Sequence, residues 1–146
     1  MGYSFGELRL EHAGIHVQDL EETMKWYHEI LGFELVPPKP EREGVFPKCV
    51  LMRNGTFYLE IYEAQGARPF DFIDYEYNVG VKHLSFYVED LDGFVDWLRE
   101  RGDVKILVDN QYAEQFCRLP GGDRAVYIQD NSGMLIELQK VKRFTE

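Results

Sequence analysis

Residues 8–17 and 81–88 alternate apolar and polar side chains with period two, as half-buried strands do. Each is followed by a stretch, 20–31 and 91–101, whose apolar residues recur every three or four positions, as on one face of a helix. Asp19 and Asp90 stand where strand gives way to helix, and there a carboxylate accepts hydrogen bonds from the first free backbone N–H groups. Gly32 and Gly102 follow the helices, as glycine does where a chain turns through the left-handed region. Further apolar runs predict strands at 33–36, 46–53, 57–62, 104–108, 125–130 and 134–139, with Asn54-Gly55 and Asn131-Ser132-Gly133 as hairpin turns. The order is strand, helix, three strands, and then the same again. The expected organisation is one domain, 1–146, made of two modules, 8–63 and 81–140. A linker rich in Pro, Gly, Asp and Tyr joins them at 64–80, and 142–146 is a polar tail.

The repetition extends to residue identity. The segments LEHAGIHVQDLEETMKWYHEILGFEL (10–35) and VKHLSFYVEDLDGFVDWLRERGDVK (81–105) superpose without gaps at an offset of 71 positions. His12 then falls on His83, Val17 on Val88, Asp19 and Leu20 on Asp90 and Leu91, Trp26 on Trp97 and Glu29 on Glu100. Later in each copy FYLEIY (57–62) and MLIELQ (134–139) set a lone glutamate, Glu60 or Glu137, among strand formers. Strand alternation gives these residues a direction. His12, Gly14 and His16 oppose Ala13, Ile15 and Val17, and His83, Ser85 and Tyr87 oppose Leu84, Phe86 and Val88. The aliphatic face must cover the helix, so both histidines look away from it. By the same rule Tyr58, Glu60 and Tyr62, and Leu135, Glu137 and Gln139, share the histidines' side. A carboxylate among aromatics there is costly to bury unless a positive group neutralises it.

Singly each of these residues is ordinary, a core histidine or a strand glutamate paired with arginine. Matched repetition changes that reading, because duplicated modules usually pack about a pseudo-two-fold axis and bring equivalent residues together. His12, Glu60, His83 and Glu137 are therefore the candidate ligands of one divalent metal, Ni, Zn, Co, Fe or Mn, with further positions open to water or substrate. Open positions favour catalysis: a cation that polarises a substrate oxygen acidifies the neighbouring C–H, and a glutamate at its edge can move that proton. His16, Tyr58, Tyr62, Ser85 and Tyr87 are the candidate pocket lining, and Tyr112 adds a further ring for stacking. His28 reads as an exposed helix residue, Trp26 and Trp97 as core anchors, and Cys49 and Cys117 as buried thiols, too few for a disulfide scaffold.

Composition narrows the class without changing the picture. With 146 residues, 45% of them hydrophobic and 14% aromatic, the chain can bury a core that two half-modules share. A formal charge of −10 and the lack of any Lys/Arg run argue against nucleic acid or an anionic membrane as partner. No run of 18 apolar residues and no signal-like start is present, so a soluble cytoplasmic protein acting on a small molecule is expected.

The pattern HxxxxVxDLxxxxxWYxxxLGF at 12–33, HLSFYVEDL from His83, and IQDNSGMLIEL through Glu137 together resemble the vicinal oxygen chelate superfamily. That superfamily includes glyoxalase I, methylmalonyl-CoA epimerase, extradiol dioxygenases and bleomycin-resistance proteins. The resemblance spans about 8–140 and implies an α+β fold of two βαβββ modules, with a cupped, mostly antiparallel sheet around the metal. It places the four ligand slots on His12, Glu60, His83 and Glu137, and implies a homodimer. Glyoxalase I is the most similar member by ligand set, which makes Glu137 the expected base with Glu60 as its symmetry partner. The implied activity is that of a metal-dependent lyase or isomerase, lactoylglutathione lyase-like, acting by proton transfer through an enediolate on the hemithioacetal of methylglyoxal and a thiol. A methylmalonyl-CoA epimerase-like enzyme is the second reading, with Lys39, Arg42, Lys48 and Arg68 as candidate contacts for an acyl-CoA phosphate. A ligand-sequestering resistance protein is the third. A ring-cleaving dioxygenase is disfavoured, because such members typically use two His and one Glu.

Overall fold

A computed structural model describes residues 9–38, 48–69, 79–111 and 123–140. The chain divides into two compact units, Met1–Arg68 and Pro69–Glu146, and the division falls inside the 64–80 segment. The first holds β1 (Ala13–Val17), α1 (Leu20–Leu31), β2 (Glu34–Val36), β3 (Cys49–Asn54) and β4 (Phe57–Glu63). The second repeats the series with β5 (Leu84–Tyr87), α2 (Leu91–Arg101), β6 (Lys105–Asp109), β7 (Ala125–Gln129) and β8 (Leu135–Gln139). Each unit has one four-stranded sheet, ordered β1-β4-β3-β2 in the first and β5-β8-β7-β6 in the second. The hairpin partners run antiparallel, while β1 lies parallel to β4 and β5 parallel to β8. This is the α+β architecture of two βαβββ modules.

Both helices occupy the expected residues, because their start and stop signals are local. Asp19 accepts a hydrogen bond from Glu22 N at 2.9 Å and Asp90 from Gly93 N at 3.0 Å. Gly32 and Gly102 close the helices at φ of 66° and 72°, where a Cβ would strain the backbone. In the first module Thr23, Tyr27 and Ile30 on α1 share the core with Val17, Met52, Leu59 and Ile61. Tyr27 meets Phe33 edge-on at 5.6 Å. In the second, Leu91, Val95 and Leu98 on α2 are buried, as are Val126, Ile128, Ile136 and Leu138.

Three expectations need correction. The first strand of each module is shorter than its alternating pattern: β1 begins at Ala13 and β5 at Leu84, so His12 and His83 stand one residue before their strands. Each is an edge strand of its described sheet, with one partner in the ladder, and the pairing begins at Ala13 with Leu59 and at Leu84 with Ile136. Trp26 and Trp97 are not core anchors. Trp26 is half-buried and Trp97 is 37% exposed, stacked on Phe94 with Arg101 over its ring, and the next residues, Tyr27 and Leu98, hold the core positions. Cys49 is half-buried rather than buried, since it lies on the sheet face turned away from the helix. Cys117, Tyr112, Lys39, Arg42 and the 142–146 tail lie outside the described residues. Among the described residues no helix is long and apolar enough to cross a membrane.

Candidate metal centre

Parallel pairing sets Gly14 beside Glu60 and Ser85 beside Glu137, so the histidine two residues earlier reaches the glutamate along the same face. His12 Nε2 lies 3.3 Å from Glu60 Oε2, and His83 Nε2 lies 3.3 Å from Glu137 Oε2. The same two atoms face each other at the same distance in both modules. Two donors at right angles around a cation, each about 2.1 Å from it, lie roughly 3 Å apart. The observed spacing therefore suits neighbouring vertices of one coordination shell, and imidazole with carboxylate is a donor chemistry that first-row divalent metals accept. Among the described residues no group of three or more His, Cys, Asp or Glu side chains is gathered to hold a metal. Each module holds one His–Glu pair.

The two pairs differ in their surroundings. Glu137 is 5% exposed, and its Oε1 accepts a hydrogen bond from Tyr127 Oη at 3.0 Å. The hydrogen bond from His83 pulls its carboxyl down to about 2; burial opposes this, and hydrogen bonds from Ser85 and Tyr127 add to the lowering. Glu137 is thus ionised at neutral pH. Tyr127 sits directly across from it on β7 and also meets the His83 ring edge-on at 5.7 Å. In the first module the places of Tyr127 and Ser85 are held by Leu51 and Gly14, neither of which has a side chain able to donate. Glu60 instead hydrogen-bonds Tyr62, whose phenol is pushed above its ordinary range chiefly by that bond and then by burial. The hydrogen bond between His12 and its neighbour Glu11 raises the imidazole above its usual value; burial opposes this, and the charges of Glu11 and Glu60 contribute. Burial raises the Cys49 thiol, and the Glu60 charge adds to the effect.

The expected pocket residues all lie on these faces. His16 is exposed and meets Tyr62 edge-on at 5.9 Å, Tyr58 and Tyr62 are half-buried, and Ser85 and Tyr87 are exposed. Ser85 Oγ accepts from Gln139 Nε2 at 2.8 Å, while Gln139 Oε1 is buried with no hydrogen-bond partner among the described residues. Lys48 is committed elsewhere: it pairs with Glu63, which also accepts from Leu20 N at the start of α1. Tyr127 was missed in the sequence, although the Asn131-Ser132-Gly133 turn, counted outward along its two strands, sets residue 127 opposite 137.

The model of the Glyoxalase/Bleomycin resistance protein/Dioxygenase superfamily matches residues 9–138. The chain belongs to this superfamily. One curated relative of this glyoxalase-superfamily chain is an ethylmalonyl-CoA/methylmalonyl-CoA epimerase from Cereibacter sphaeroides, 30% identical over 95 residues, which are 64% of this chain and 71% of the relative. Among solved structures, the fosfomycin resistance protein FosX from Listeria monocytogenes matches with a TM-score of 0.69 at 18% identity, over 92% of each chain. A mutant of that FosX, with one glutamate replaced by glutamine, was crystallised with Mn(II) and 1S,2S-dihydroxypropylphosphonic acid; it matches with a TM-score of 0.63 at 19% identity, over 92% of this chain and 91% of that one. A glyoxalase family protein from Enterococcus faecalis matches with a TM-score of 0.66 at 24% identity, over 90% of this chain and 96% of that one.

Proposed function

We propose that this superfamily member is a divalent-metal-dependent lyase or isomerase of the glyoxalase I type, which moves a proton at a carbon next to a carbonyl on a small substrate with adjacent oxygens. The two matched His–Glu pairs, each with Nε2 and Oε2 at 3.3 Å, carry the reading. His12, Glu60, His83 and Glu137 make up the ligand set. A divalent cation bound by them, Ni, Zn, Co, Fe or Mn, would supply Lewis acidity at the substrate carbonyl. The proton is carried by a carboxylate of the set: Glu137, ionised at neutral pH, with Glu60 as its symmetry counterpart. Rings of His16, Tyr58, Tyr62 and Tyr87 offer apolar faces to the substrate body, and the exposed Ser85 offers a polar contact.

A second reading, an epimerase of 2-substituted malonyl-CoA thioesters, draws support from the Cereibacter sphaeroides relative. It uses the same proton chemistry at a thioester α-carbon. One experiment separates the two. Protein loaded in turn with each metal is offered the hemithioacetal of methylglyoxal with glutathione or another thiol, and separately methylmalonyl-CoA in deuterated water. Thioester formation from the hemithioacetal, lost in Glu137→Gln, supports the first reading. Deuterium entering methylmalonyl-CoA above the blank rate, with no hemithioacetal turnover, supports the second. Inactivity on both, with tight binding of an aromatic ligand by metal-free protein, contradicts both and identifies a sequestering protein.

A further inference from the structure

The asymmetry between the two His–Glu pairs has a specific source, and we infer that Tyr127 is a positioning residue that fixes the Glu137 carboxylate and the His83 ring for metal binding. The inference rests on the ligand set proposed above. Tyr127 makes both contacts that such a role requires. Its hydroxyl donates to Glu137 Oε1 at 3.0 Å, which leaves Oε2 as the atom facing His83 Nε2 at 3.3 Å. Its ring stands edge-on to the His83 imidazole, at 5.7 Å between centroids and 84° between planes, and so restricts rotation of that ring. One side chain thus touches both donors of the pair without occupying the Oε2 and Nε2 atoms that would meet a cation.

The placement follows from register. Tyr127 is paired with Glu137 across the β7–β8 ladder, and Ser85 with Glu137 across the β5–β8 ladder, so the carboxylate is held from both flanking strands. Gln139, one step further along the same face of β8, donates to Ser85 Oγ at 2.8 Å and steadies it. In the first module the corresponding ladders set Glu60 between Gly14 and Leu51, so the second module's pair is the pre-organised half of the set. Groups that hydrogen-bond a metal's ligands typically change its affinity by about 10- to 100-fold when removed, because the ligand must then be ordered at the moment of binding.

The test is Tyr127→Phe, which keeps the ring against His83 and removes only the hydroxyl, compared with wild type and Ser85→Ala. Zn(II) and Co(II) affinities are measured by competition with a chelator, the visible absorption spectrum of the Co(II) protein is recorded, and thermal melting of the metal-free proteins checks that each folds. Tyr127→Phe is expected to lose about tenfold in affinity and to alter the Co(II) spectrum, with a smaller loss in Ser85→Ala. Tyr127→Leu, which removes the ring as well, loses more. A folded Tyr127→Phe protein with wild-type affinity and spectrum would overturn the positioning role while leaving the metal reading intact. Wild-type protein that binds neither ion would overturn the metal reading, and the role of Tyr127 with it.

Discussion

Tyr27 and Leu98 occupy equivalent places in the two helices and are both fully buried, whereas the tryptophans one position earlier lie at the margin of the core. A helix turns by about 100° per residue, so a single step carries a side chain off a narrow apolar stripe. Leu98→Ala should cost about 3 kcal/mol, because it opens a cavity in a close-packed interior, while Trp97→Ala should cost about 1 kcal/mol or less. Denaturant unfolding of the two variants checks the contrast, and equal losses would place Trp97 in the core after all. Aromatic identity at matched positions of a repeat is conspicuous in a sequence and draws the eye to tryptophan. The spacing of Leu91, Val95 and Leu98 marks the buried stripe more faithfully. The His12–Glu60 and His83–Glu137 pairings were legible because repetition singles these residues out. Tyr127 was not, since its importance depends on cross-strand register and it has no counterpart in the first module.

At the scale of elements, caps and turns write their own boundaries, and tertiary partners write the rest. Both helices begin and end on the expected residues, yet β1 and β5 begin later than their alternating pattern, at the first residue of their parallel ladders. β6 carries an irregularity between Ile106 and Val108 that alternation alone does not announce. The second module also has a charged clasp. Asp109, at the end of β6 and 8% exposed, accepts from Arg124 at 2.6 Å and from Arg99 of α2 at 2.7 Å, while Arg124 also donates to Asp92 in the first turn of α2. Asp109→Asn should lower stability by about 3 kcal/mol, since two guanidinium groups lose a buried partner. Burial raises the Asp109 carboxyl, but the Arg124 and Arg99 hydrogen bonds and a bond from Gln111 N outweigh it, leaving the group below its ordinary value. A folded-state value depressed in this way contributes stability that is fully present above the ordinary carboxylate range, about pH 4, and is lost as pH falls through the folded value. Wild type should therefore lose more stability than Asp109→Asn on acidification below about pH 4. Parallel acid titrations would contradict this.

For the whole molecule, two copies of one βαβββ plan and a match to the superfamily model over residues 9–138 account for most of the chain. The duplication was readable because both period and identity repeat, whereas connections such as 39–47 and 112–122 carry no period to read. An acidic surface, formally −10, also predicts weak affinity for nucleic acid, and electrophoresis with duplex DNA at low salt should show no shift. The proposal that His12, Glu60, His83 and Glu137 hold a divalent cation is tested most directly by metal content. Elemental analysis would compare wild type with His83→Ala/Glu137→Gln, both purified without a metal-affinity tag. The expected result is about one divalent ion per chain in wild type and none in the double variant. Wild-type protein that stays metal-free after reconstitution with Ni, Co, Zn, Fe and Mn, or a double variant that retains its ion, would contradict it.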